Sequence, residues 1–147
     1  MKWTRIAAIA LSVGVASAAS AGAIGAESGR SDDATEPNAF SIEETWAHVA
    51  PEMGKHLPMS VDDETMWLTV SNEGRVLVST FRKNLPKEEI VASKDEMERS
   101  AIENTCRGTE RGKELLDAGG IVRQVFYDRN DQLAVTIDVD GESCRRN

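Results

Sequence analysis

An α+β domain in two layers, a four-stranded antiparallel sheet built from two hairpins with helices on one face, is the architecture this sequence predicts. Three observations carry it. A serine-capped amphipathic helix opens the folded region, two pairs of β-rich runs are each joined by turn-forming residues, and helical segments bounded by Pro86 and by Gly119-Gly120 separate the pairs. The expected order is α-β-β-α-α-β-β. A chain of 147 residues has room for a single core, and 40% hydrophobic against 29% charged residues excludes collagen, a disulfide-dense miniprotein and a wholly disordered chain.

The first 26 residues read as a signal peptide. Lys2 and Arg5 form a basic start, residues 6–15 are apolar over a length too short to span a bilayer, and small residues then supply several A-x-A triplets. The expected product is exported, periplasmic or secreted, with no membrane span after processing. Residues 27–39 are polar, contain Gly and Pro and show no apolar period, which predicts a disordered tether before a single domain over residues 40–147. The leader holds both of its charges as bases, so 15 basic and 25 acidic side chains remain beyond it, a net charge of −10. Such a field repels phosphate backbones and anionic lipid, which argues against nucleic acid and for a basic partner.

Ser41 followed by Glu44 matches a capping box. Behind it Phe40, Ile42, Trp46, Val49, Met53 and Leu57 form one apolar stripe, which predicts a helix over residues 42–55 that Pro51 kinks or splits. Alternation of Met66, Leu68 and Val70 against Trp67 and Thr69 predicts a strand over 65–70, and residues 75–82 a second, joined through Ser71-Asn72-Glu73-Gly74. Past Pro86, a segment reaching Cys106 places Ile90, Met97, Ala101 and Cys106 on one helical face. Thr109 caps a short helix carrying Leu115 and Leu116. Residues 121–127 and 132–139 then form the second hairpin about Asp128-Arg129-Asn130-Asp131.

Cys106 and Cys144 are the two cysteines, and export places them where thiols oxidise, so an intramolecular disulfide is the natural reading. A redox-active pair lacks the C-x-x-C spacing that lowers a thiol pKa. Leu57-Pro58, Val61-Asp62, Thr65, Asn104-Thr105-Cys106, Tyr127-Asp128 and Cys144 together resemble small uncharacterised bacterial secreted proteins with one cysteine pair, the L-P-x-x-V-D-x-x-T piece being the most specific part. The resemblance spans roughly residues 40 to 144 and implies a periplasmic disulfide domain; it brings no activity and no catalytic residues.

No constellation specifies a reaction. His48, Met53, His56 and Met59, with Met66 beyond, would suit Cu(I), yet their loose spacing fits core methionines and surface histidines better. No zinc motif is present, so no metal or other cofactor is expected. Asp128, Asn130 and Asp131, or Asp138, Asp140 and Glu142, depart from the calcium-loop pattern and read as solvated turn acids. A small hydrolase would have to recruit His48 or His56 to a serine that nothing selects. The expected role is therefore that of a noncatalytic accessory or interaction protein of the bacterial envelope that binds another envelope protein, with copper handling or hydrolysis as alternatives. Trp67 and Phe81 alternate out of phase with their strands' other apolar residues, which would turn them away from the helices toward a partner; the opposite register would turn them inward.

Overall fold

The computed structural model describes residues 41–146. The expected leader and tether, and Phe40, lie outside the described residues. In chain order the elements are α1 (Ile42–Gly54), β1 (Met59–Ser60), β2 (Thr65–Glu73), β3 (Val76–Lys83), α2 (Lys87–Ala92), α3 (Lys94–Cys106), α4 (Glu110–Asp117), β4 (Ile121–Tyr127), β5 (Leu133–Val139) and α5 (Gly141–Arg145).

The Ser41 hydroxyl accepts the Glu44 amide at 3.1 Å and starts α1. The helix runs through Pro51 to Gly54 and buries Ile42, Trp46, Val49 and Ala50. Thr109 caps α4 in the same way through the Gly112 amide. Gly119, at φ +98°, turns the chain out of α4. The long helical segment past Pro86 is two helices, broken at Ser93, whose hydroxyl donates to the Ile90 carbonyl at 3.0 Å.

The sheet is not the four-stranded antiparallel one that the sequence predicts, and the order is not α-β-β-α-α-β-β. Five strands lie in the order β1-β2-β3-β4-β5, and β3 and β4 run parallel while the other neighbours are antiparallel. The parallel step has a topological cause. Between β3 and β4 the chain makes a helical crossover through α2, α3 and α4, which returns it to the end at which β3 began. Two residues of β1 are too few for an alternating pattern, and the five of α5 too few for a helical one, so neither element leaves a periodic signal.

Leu77 pairs with Val122 and Val122 with Val139, while Phe81 pairs with Phe126 and Phe126 with Val135; all these side chains therefore share one sheet face. That face carries both parts of the core. Ile42, Trp46, Val49 and Ala50 of α1 cover Leu77, with Val70 and Val122 packed alongside. Ile90, Met97 and Ala101 of α2 and α3 cover Phe126, Val135, Ile137 and Val139. Ile90 and Val139 are fully enclosed, each contributing roughly 1.5–3 kcal/mol by leaving water.

Arg75, at the tip of the β2–β3 hairpin, joins three elements. Its carbonyl accepts the Trp46 indole N–H at 3.1 Å and the Ile121 amide at 3.0 Å, and its guanidinium donates to the Ala118 carbonyl at 2.6 Å. The start of β4 is thereby held to the hairpin and to the end of α4.

Candidate partner-docking surface

Trp67, Phe81 and Phe126 form a continuous aromatic strip across β2, β3 and β4. Trp67 is the register partner of Phe81, and Phe81 that of Phe126; ring centroids are 5.7 Å and 5.0 Å apart, both pairs stacked. Burial is graded along it. Phe126 is 5% exposed within the core, Phe81 and Trp67 are half-buried, and Met59, beside Trp67 on β1, is 39% exposed. The Trp67 indole N–H donates to the Thr69 carbonyl at 3.1 Å, which satisfies the polar edge and leaves the ring as apolar surface.

Trp67 and Phe81 therefore lie on the helix-bearing face, not on the face away from it. The cause in β2 is a bulge between Trp67 and Thr69, which inserts one residue and inverts the alternation: Thr65 and Trp67 share a face with Val70. In β3 the inward positions are Leu77, Ser79, Phe81 and Lys83, and two polar residues among them mask the phase. Lys83 is 4% exposed, its ammonium donating to the Thr65 hydroxyl at 2.8 Å. A charged side chain on an inward row is the signal that sequence reading passes over.

Cys106 and Cys144 form a disulfide, with Cα atoms 5.5 Å apart across 38 positions, packed beside the α2/α3 core. It ties α5 to the end of α3. Asp140 prepares that contact by capping α5: its carboxylate accepts the Ser143 amide and hydroxyl, each at 2.8 Å, and these bonds hold the carboxyl below the usual aspartate range. Asp128 is likewise no solvated acid. It is 2% exposed and accepts the amides of Asn130 and Gln132 at 2.8 Å, shaping the β4–β5 turn. Both departures from the reading of these residues as exposed turn acids arise from backbone N–H groups that only the folded turn presents.

The His/Met stretch is dispersed. Met53 packs into the α1 core, Met66 is half-buried on β2, and His48 and His56 are exposed. Among the described residues, no three or more His, Cys, Asp or Glu side chains are grouped to hold a metal ion. Glu52 has its carboxyl lowered by the Lys55 ammonium at 2.7 Å, with smaller contributions from His48 and His56. On the sheet face away from the helices, Arg123 and Asp138 form a two-bond ion pair at 2.7 and 2.8 Å that raises the guanidinium pKa. No described helix is long and apolar enough to cross a membrane.

No family model matches the chain, and no curated protein matches it. Solved structures do. A secreted protein of Pseudomonas aeruginosa superposes with a TM-score of 0.64 at 20% identity, over 71% of this chain and 93% of that one. A pilotin of the Vibrio vulnificus type 2 secretion system gives 0.55 at 16% identity, over 70% and 91%. A type II secretion system pilotin of Vibrio cholerae gives 0.53 at 20% identity, over 70% and 92%. Each of these chains is matched over nearly its full length, so the shared feature is the whole fold, and this chain has the fold of a small bacterial secreted protein and of two pilotins.

Proposed function

We propose that this protein is a noncatalytic accessory protein of the bacterial envelope, exported to the periplasm or secreted, that docks another envelope protein on the strip formed by Met59, Trp67 and Phe81. The observation that carries the reading is the fold match to two pilotins of type II secretion systems. The graded aromatic strip supports it, because aromatic surface anchored at one end in a core contributes contact area at low entropic cost. The acidic balance of the exported chain favours a partner segment with basic residues around an apolar centre.

A photoreactive phenylalanine analogue placed at position 67 in living cells tests this, with a control at Thr136, which is exposed on the far face of β5. The expected result is one discrete adduct with an envelope secretion component from position 67, diminished by Phe81→Ala and absent from position 136. Equal labelling from the two positions, or no adduct from position 67, rejects the assignment.

A further inference from the structure

The L-P-x-x-V-D-x-x-T piece gives Met59 to the edge of the aromatic strip, while residues 60–65 form one wall of a hollow of about 380 Å³ where β1 and β2 meet the end of β3 and the β4–β5 turn. Ser60, Asp63, Glu64, Arg82, Asn84 and Arg129 are among its lining residues. The wall is prebuilt. Asp62 accepts the Glu64 amide on its carboxylate at 2.8 Å and the Ser60 hydroxyl on its carbonyl at 2.9 Å, and the Val61 amide donates to the Thr65 carbonyl at 2.9 Å. The Asn84 amide donates to the Glu64 carbonyl at 2.7 Å, and the Arg129 amide to Leu85, which fixes the opposite side.

The charges across this hollow do not satisfy one another. Among the described residues, the Arg129 guanidinium and the Asp63 and Glu64 carboxylates make no hydrogen bond or ion pair, and Arg82 reaches Asp131 only at 3.6 Å. A simple anion would meet two guanidiniums but also the carboxylates beside them, and a simple cation the reverse. A molecule carrying both signs places each against its opposite. Two guanidiniums and the Asn84 side-chain amide form a donor set that suits a phosphate, whether a monoester with three terminal oxygens or a diester with two. We propose that the hollow binds a compact ammonium–phosphate zwitterion, free or as a lipid headgroup, with Arg129 on the phosphate and Asp63 with Glu64 on the ammonium. This site is independent of the docking strip.

Titration of the ¹⁵N-labelled exported chain with O-phosphoethanolamine, inorganic phosphate and ethanolamine separates the terms. Saturable shifts confined to the amides of Ser60, Asn84 and Arg129 are expected with phosphoethanolamine, at an affinity at least tenfold above either half-molecule. Arg129→Gln and Asp63→Asn should each weaken it about tenfold, the loss of one charge-assisted contact. Flotation with phosphatidylethanolamine against phosphatidylglycerol vesicles assigns the source: Arg129-dependent binding to the former supports a headgroup, and saturation by the soluble zwitterion alone supports a free ligand. Equal affinity for phosphate and phosphoethanolamine, shifts insensitive to Arg129→Gln, or no saturation by the zwitterion in solution or on vesicles overturns the proposal.

Discussion

Removal of the Cys106–Cys144 bond should cost this domain a large share of its stability. The bond closes a loop of 38 positions that contains α4, β4 and β5. For a ring of that length, chain-entropy arithmetic gives a loss of about 13 cal/mol/K in the denatured state, or about 4 kcal/mol at 25 °C. That is nearly three decades in the folding equilibrium, against a total stability of roughly 5–15 kcal/mol for an ordinary domain. The assay is denaturant unfolding of the oxidised protein, the same protein with reductant, and the Cys106→Ala/Cys144→Ala double variant. Both forms lacking the bond should lose about 4 kcal/mol, with a steeper denaturant dependence as the freed denatured chain expands. The reduced protein keeps its sulfur atoms, so agreement between the two forms separates the cross-link from lost packing. A second readout is local. The five residues of α5 are too few to hold a helix unaided, so amide exchange at Cys144 and Arg146, whose donors reach Asp140 and Glu142, should accelerate first. A loss below about 1 kcal/mol in both forms would refute the reasoning, because the denatured chain would then be insensitive to the ring.

Asp140→Ala removes the α5 cap and should cost about 0.5–2 kcal/mol by thermal unfolding. Because the folded pKa of Asp140 is lowered, its contribution is complete above the unfolded aspartate value and is lost as pH falls through the folded one; acid titration of wild type against the variant should converge at the acid end. Gly141→Ala would bring a Cβ to 2.8 Å from the Leu116 carbonyl and should cost about 1–3 kcal/mol, measured as a fall in denaturation midpoint. Gly74→Asn, at φ +57° with open space around it, should change the midpoint little, since asparagine tolerates the left-handed region. Ile90→Ala should cost about 2–5 kcal/mol, because the site is fully enclosed.

Local elements were legible because their signals are local. The Ser41 and Thr109 caps, the α1 stripe, the β2–β3 and β4–β5 hairpins and the stop at Gly119 each rest on residues within a few positions of one another. What failed was long-range or sub-periodic. The parallel pairing of β3 with β4 follows from where a crossover deposits the chain, which no window of residues encodes. The facing of Trp67 and Phe81, open between two registers in the sequence, is decided by one bulged residue in β2 and by the inward row of β3 that Phe81 shares with Ser79 and Lys83. Asp128 and Asp140 looked like solvent-facing acids since their partners are backbone N–H groups, which every residue but proline carries.

The inward register of Trp67 and Phe81 changes what the strip can do. On an open sheet face, two aromatics would be a patch sitting on a surface that tolerates its loss. On the helix-bearing face they are the exposed continuation of the core, stacked through Phe126 onto residues that α2 and α3 cover. The disulfide and the Asp140 cap hold α5 against α3 at the β5 side, whereas β1 is two exposed residues and β2 is only partly covered. Rigidity is thus concentrated at one edge and accessible apolar surface at the other. A ring seated on a stacked neighbour loses little freedom when a partner arrives, so binding energy at Trp67 need not be offset by ordering. Under the proposed docking role, that division lets the Met59–Trp67 edge vary in sequence without unseating the core, provided that Phe81 remains to join the two.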